Sequence, residues 1–235
     1  MEKSASVKPE KRLVVKYFIL EYVSVAVMGA AILLSAGRWN WLPAWVVIAL
    51  MTVCLTGVGI VLLRYQPGLM IERMSPPKSS KKWDSILISI LRLVQLARYV
   101  LGGLDQRFGW SEGFSTGLQI AAAVLCLAGY GLFAWAMASN PFFSQVVRIQ
   151  SDRGHAVETS GPYRFVRHPS YAGMIVFEIG MGILLDSWWA LLAGAVCVAI
   201  FVLRTALEDT TLRRELPGYA DYAKETRKRL LPGIW

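Results

Sequence analysis

The chain has 235 residues, 55% of them hydrophobic, a mean hydropathy of +0.44 and a net charge of +9. Several apolar runs reach the roughly 20 residues that a helix needs to cross a bilayer, which argues for an integral membrane protein over a soluble one with strongly apolar core helices. Nearly all Lys and Arg flank those runs, where they anchor spans, so the charge is not a nucleic-acid face.

Residues 1–16 form a basic tail, and the first apolar run covers about 17–36, with Glu21 near enough to its start to reach the interface. The tail carries five Lys and Arg before a long apolar run, which reads as a retained anchor rather than a cleaved leader. "GRWNWLP" is a short interfacial turn, and a charge-free second span covers about 42–63. The loop 64–82 contains "SPPKSSKK", whose Pro and Ser oppose a helix. The third apolar segment, about 85–104, carries Arg92, Gln95 and Arg98, which make no single helical stripe; it reads as a span with polar side chains turned inward, an interfacial helix being the alternative. After the turn "DQRFGWSEGFS", a fourth span covers 116–139. A polar segment, 140–168, precedes a fifth span of 169–185. "DSWW" turns the chain into a sixth span from Trp188 to about Leu203, and the pair makes a helical hairpin. Beyond Arg204 the helical pattern continues but becomes charged until "PGY" breaks it, and a short amphipathic helix follows. The expected class is therefore an all-α membrane protein of about six transmembrane helices, organised as tail 1–16, helices 17–139 and a core 140–235.

Lys and Arg number five in the tail, five in 64–82, four in 145–168 and seven from 204 onward, against only Arg38 and Arg107 in the other connections. The positive-inside rule then puts both termini and the loops 64–82, 140–168 and 204–235 on the cytoplasmic side. The three Cys (54, 126, 197) each lie in an apolar run and the two His stand apart, so neither a disulfide framework nor a metal site is expected.

The most constrained polar stretch, "SGPYRFVRHPSYAG" (160–173), stands at the mouth of the fifth span. His168 precedes a proline and should be extended, and Pro169 suits a first helical position. Such a start leaves backbone N–H groups free for an anion. Membrane-entry punctuation reads the same residues about equally well. Arg204 and Glu208 share a helix face, as a local ion pair or as separate ligand-binding groups for an anion and a cation. Glu178, in mid-span, needs a partner such as Arg92 or Arg98. The alternation around "SDRG" suggests a small hairpin carrying His155.

"HAVETSGPYRFVRHPSYAG", a helical hairpin, "RTALED" and "PGYADY…RLLPGIW" occur in order over 140–235 and resemble the isoprenylcysteine carboxyl methyltransferase family, within a wider group that includes the phospholipid N-methyltransferases. The resemblance implies S-adenosylmethionine as methyl donor, bound in loops and helix ends, and a lipophilic or prenylated acceptor entering from the bilayer. It implies cofactor contacts at His155, Ala156, Val157, Glu158, Tyr163, His168, Pro169, Ser170, Tyr171 and Glu208, and a substrate-carboxylate role for Arg204. Arg148 stands where an uncharged contact is usual, and Glu208-Asp209 replaces two Glu. The chemistry of those side chains is compatible: N–H groups at 169–171 for a carboxylate, Glu208 for an ammonium, Tyr163 and Tyr171 for a sulfonium, Val157 and Phe165 for adenine. The expected reaction is carboxyl methylation, with membrane lipids as surroundings and no nucleic acid or metal. A phospholipid amine or small thiol is the alternative acceptor. An NADPH-dependent sterol-type reductase and a non-catalytic membrane scaffold are the alternatives of another class.

Overall fold

The computed structural model describes residues 9–75, 80–231 and 235. The "PPKS" of the 64–82 loop, residues 232–234 and residues 1–8 lie outside the described residues. Among the described residues the regular structure is helical throughout. The helices are α1 (Lys11–Ala36), α2 (Leu42–Tyr65), α3 (Pro67–Arg73), α4 (Lys82–Phe108), α5 (Thr116–Ser139), α6 (Pro169–Leu184), α7 (Trp188–Glu215) and α8 (Tyr219–Glu225). Of these, α1, α2, α4, α5 and α7 are long and apolar enough to cross a membrane. At 16 residues α6 is shorter, about 24 Å of helix against a hydrocarbon core of about 30 Å. The chain is an integral membrane protein.

Three expectations change. The first helix starts at Lys11 rather than at residue 17, because Leu13 and Val14 pack against a cluster built around Leu69 and Met70. A short helix, α3, occupies the start of the 64–82 loop; Pro67 is accepted at its first position, and Leu69 and Met70 are buried. No hairpin forms around "SDRG". Ser151–Arg153 make one 3-10 turn closed by Gly154 in the left-handed region, and the His155 N–H donates to Gln150 O at 3.2 Å.

The long helices pack as a ring: α1 on α2, α2 on α5, α5 on α6, α6 on α7, α7 on α4, and α4 back on α1. In lipid, close approach of backbones replaces hydrophobic drive. A Cβ on Gly129 of α5 would stand 2.4 Å from Gly173 O of α6, so these two helices touch main chain to main chain.

α4 aligns the ring. Asp84, Leu91, Arg98 and Asp105 recur every seven residues and are all buried. Each charge is met by a different neighbour. Asp84 takes Arg204 of α7, with Nε to Oδ1 at 2.7 Å. Arg98 pairs with Glu178 of α6, and Gln95 Nε2 donates to the same carboxylate at 2.6 Å. Asp105 accepts from Ser187 Oγ at 2.5 Å and from Ser111 N–H at 2.9 Å. The third segment is thus a span with Gln95 and Arg98 turned inward and Arg92 left exposed, and Glu178 has Arg98 as its partner. At the far turns Asp186, at φ 53°, accepts from Phe114 N–H at 2.6 Å and Gln119 Nε2 at 2.9 Å. These bonds tie the α6–α7 hairpin to α5. We call this the turn end; the opposite, loop end carries the connections 66–81 and 140–168 and the C-terminal segment.

Glu178→Ala leaves Arg98 buried without its counter-charge, which should cost about 3–5 kcal/mol. Thermal unfolding in detergent should show a lowered midpoint, largely restored in an Arg98→Met, Glu178→Leu double variant.

Candidate active site

The stretch 160–173 folds as its composition dictates. Gly161 takes φ 56° and opens a 3-10 turn over Gly161–Arg164, with Pro162 at its start. His168, at φ −129° and ψ 61°, is non-helical but falls short of the extended backbone expected before a proline, and α6 begins at Pro169. The first helical hydrogen bond is Ala172 N–H to His168 O at 3.2 Å. Among the described residues the N–H groups of Ser170 and Tyr171 have no acceptor, as a helix start requires.

The C-terminal segment straps this turn in place. The Arg167 N–H donates to Lys228 O and the His168 N–H to Arg229 O, both at 2.9 Å. Tyr222 Oη donates to Tyr163 O at 2.7 Å. Asp209, fully buried, gathers Arg167 at 2.7 Å, Arg213 at 3.0 Å, Arg229 at 3.1 Å and the Tyr219 hydroxyl at 3.0 Å. The two segments flanking the hairpin are therefore one construction.

A cavity of about 370 Å³ lies at the loop end, within the range of small-molecule sites. It is lined by Ala156, Val157, Glu158, Tyr163, Ser170 and Tyr171, together with His155, His168, Arg204 and Glu208. Ten of the eleven site residues expected from the sequence thus share one cavity. Pro169 is the exception; it sets the helix start behind the wall and does not line it. Phe165 also departs from expectation. It is 57% exposed, lies outside the cavity and stacks under Arg164. Its place as an apolar face is taken by Phe142, whose ring lies 4.8 Å from the His155 ring. No periodicity pointed to Phe142, because the loop that carries it is irregular.

Arg204 and Glu208 do not pair with each other. Arg204 is held by Asp84 through Nε at 2.7 Å and Nη2 at 3.3 Å, and Nη2 donates to Gln145 O at 2.8 Å. Its guanidinium lies over the Tyr171 ring at 5.3 Å. Nη1 makes no hydrogen bond among the described residues and remains as the free donor. Tyr171 Oη donates to Glu208 Oε2 at 2.5 Å, which leaves Oε1 open. Asp84 was not foreseen. It falls outside the apolar segment, and only the seven-residue spacing to Leu91, Arg98 and Asp105 singles it out.

His155 Nδ1 accepts the Gln150 N–H at 3.3 Å, so the neutral ring carries its proton on Nε2 as a donor. Burial first, then the Arg148 and Arg153 guanidinium groups, hold its pKa below the ordinary 6.5. Arg148 itself is tied to Glu72 at 2.9 Å. Burial pushes the Tyr163 hydroxyl up, so it stays protonated.

A helical membrane protein whose ring of spans ends in a cavity with free amides, a carboxylate and an arginine is the class that these features define. Residues 121–214 match the model of the isoprenylcysteine carboxyl methyltransferase family, so the resemblance read from the C-terminal motifs stands. The chain is 30% identical over 122 residues to the protein-S-isoprenylcysteine O-methyltransferase of Schizosaccharomyces pombe, covering 52% of this chain and 50% of that one. It is 30% identical over 110 residues to a nickel-cobalt-cadmium resistance protein of Alcaligenes xylosoxydans, covering 46% and 49%. The chain thus spans about half the length of these relatives. A solved eukaryotic intramembrane Ras methyltransferase, isoprenylcysteine carboxyl methyltransferase, shares the fold with a TM-score of 0.53 and 18% identity, over 95% of this chain and 82% of that one.

Because the fold favours neutral His155, the stability tied to it is complete above pH 6.5 and is lost as the pH falls below that value. The unfolding midpoint should drop as the pH falls through 6.5, and His155→Gln should flatten the drop.

Proposed function

We propose that this chain is a membrane methyltransferase that moves a methyl group from S-adenosylmethionine to the carboxylate of a lipophilic, prenylcysteine-like acceptor. The observation that carries the reading is the single cavity in which the free Ser170 and Tyr171 amides, Glu208, Tyr163, His155 and Arg204 meet. The residues fit the donor. Amides at a helix start suit its carboxylate, the open Oε1 of Glu208 suits its ammonium, and aromatic faces of Tyr163 and Phe142 suit its cationic and ring portions. When bound, it supplies a methyl group already activated by positive sulfur.

The residues then have little bond-making to do. They align the acceptor oxygen and exclude water. A carboxylate acceptor is already a nucleophile and needs no general base, in keeping with a site whose His155 is held neutral by burial and by two nearby arginines. Arg204 directs Nη1 at that carboxylate while Asp84 fixes its plane. The membrane-side wall, with Leu91, Tyr130, Phe133, Met174 and Phe201, is apolar and suits a lipophilic chain. The excess of Lys and Arg in the loop-end connections supports a cytoplasmic position for this end.

Labelled S-adenosylmethionine, offered with S-farnesylcysteine, phospholipid-amine and thiol acceptors, tests the reading. Carboxyl transfer is expected. Glu208→Gln should weaken S-adenosylhomocysteine binding roughly tenfold or more. Arg204→Ala should preserve that binding and slow transfer roughly 100-fold. Binding of NADPH without S-adenosylhomocysteine, or carboxyl transfer unchanged in Arg204→Ala, would contradict it.

A further inference from the structure

The cavity holds more arginines than the proposed chemistry uses. Arg148, Arg167 and Arg204 have carboxylate partners, Glu72, Asp209 and Asp84. Arg73 donates to Met137 Sδ at 3.1 Å. Arg92 also lines the cavity, yet among the described residues it has no hydrogen bond and no acidic partner. It is an exposed cation ten residues into an apolar helix, about 15 Å from the helix start, where an unpaired charge is costly.

Its position is specific. On α4, Ile88, Leu91 and Gln95 face the cavity, whereas Ile86, Ile90, Leu93 and Leu96 form an exposed apolar stripe. At 3.6 residues per turn Arg92 falls on the border between the two faces. The neighbouring helix leaves that border open. At the turn end α1 and α4 are in tight contact, since Gly103 lies against Ser35 and the main chain of Ile32 and Ala36. Toward the loop end they join different clusters. Tyr17 of α1 packs with Leu62, Leu69 and Met137, while Leu91 of α4 packs with Ile200 and Phe201 of α7. There the two helices bury their side chains against different neighbours, and Arg92 lies on the border of α4 that stays exposed.

We infer that Arg92 is a specificity-determining residue, which captures the anionic carboxylate of a lipophilic acceptor as it passes from the bilayer into the cavity. Arg204, already balanced by Asp84, orients the carboxylate afterwards. The inference rests on the carboxyl-acceptor reading above. It assigns the charge selection to α4, outside the C-terminal segment that carries the family motifs. A charged donor on a border of lipid and cavity distinguishes a carboxylate from its neutral analogue, because only the former gains a charge-assisted pair in a medium of low dielectric.

The test uses the full chain in nanodiscs. Binding of an S-farnesylcysteine carboxylate is compared with that of its uncharged carboxamide, and KM and kcat are measured alongside. Wild type should prefer the carboxylate. Arg92→Ala should lose that preference roughly 10- to 100-fold and raise KM to match, with kcat nearly unchanged; Arg92→Lys should retain most of it. S-adenosylhomocysteine affinity should not move, and the preference should persist in phosphatidylcholine and phosphatidylglycerol discs alike. A preference intact in Arg92→Ala, or one that appears only in one lipid, would overturn the inference. So would an equal loss of S-adenosylhomocysteine affinity in both variants. A wild type that methylates no carboxylate would instead overturn the proposed reaction, while the carboxylate–carboxamide comparison would still decide the role of Arg92.

Discussion

A guanidinium and a carboxylate placed between spans must find each other, because neither can find water. The Arg98–Glu178 pair joins α4 to α6 across the inside of the ring, and Gln95 adds a second donor to the same carboxylate. Removing either partner strands a buried charge, so the pair fixes the rotation of α4 about its own axis. That rotation has consequences at both ends. Fourteen residues before Arg98, close to four helical turns, Asp84 faces Arg204. Seven residues after it, Asp105 faces the hairpin turn at Ser187. One helix thereby registers the α6–α7 hairpin at three depths.

The site inherits its geometry from that registration. Asp84 holds one edge of Arg204 through Nε and Nη2 and leaves Nη1 free. Tyr171, three positions into α6, lies under the same guanidinium and donates to Glu208 one turn further along α7. Asp209 faces the other way and binds the strap formed by Arg167, Tyr219 and Arg229. The adjacent acids Glu208 and Asp209 therefore serve different ends: one opens onto the cavity and the other holds the turn that walls it.

Much of this was legible in the residues. Alternating apolar runs and basic connections yield the spans; Pro169 after a non-helical His168 yields the helix start; and the ordered C-terminal motifs yield ten of the cavity-lining side chains. The misses have local causes. Phe165 sits among motif residues yet points outward, since a 3-10 turn rotates successive side chains by about 120°. Phe142 sits in irregular chain where no periodicity marks a face. The α1 start and α3 were hidden because their apolar residues are few and earn a helix only by packing on one another.

By itself the sequence determined that the chain is a helical membrane protein, where its spans run, and which C-terminal residues resemble a methyl-transfer site. Those properties follow from hydropathy, charge placement and local backbone rules, which act over a few residues. Only the tertiary structure decided which charges are spent on each other and which remain for a ligand. Arg204 and Glu208, four apart and able to pair, are instead separated by Asp84 and Tyr171, while Arg92 is left unpaired at the cavity edge. The partners lie 37 to 120 residues apart in the chain, and only the packing of helices brings them within hydrogen-bonding range.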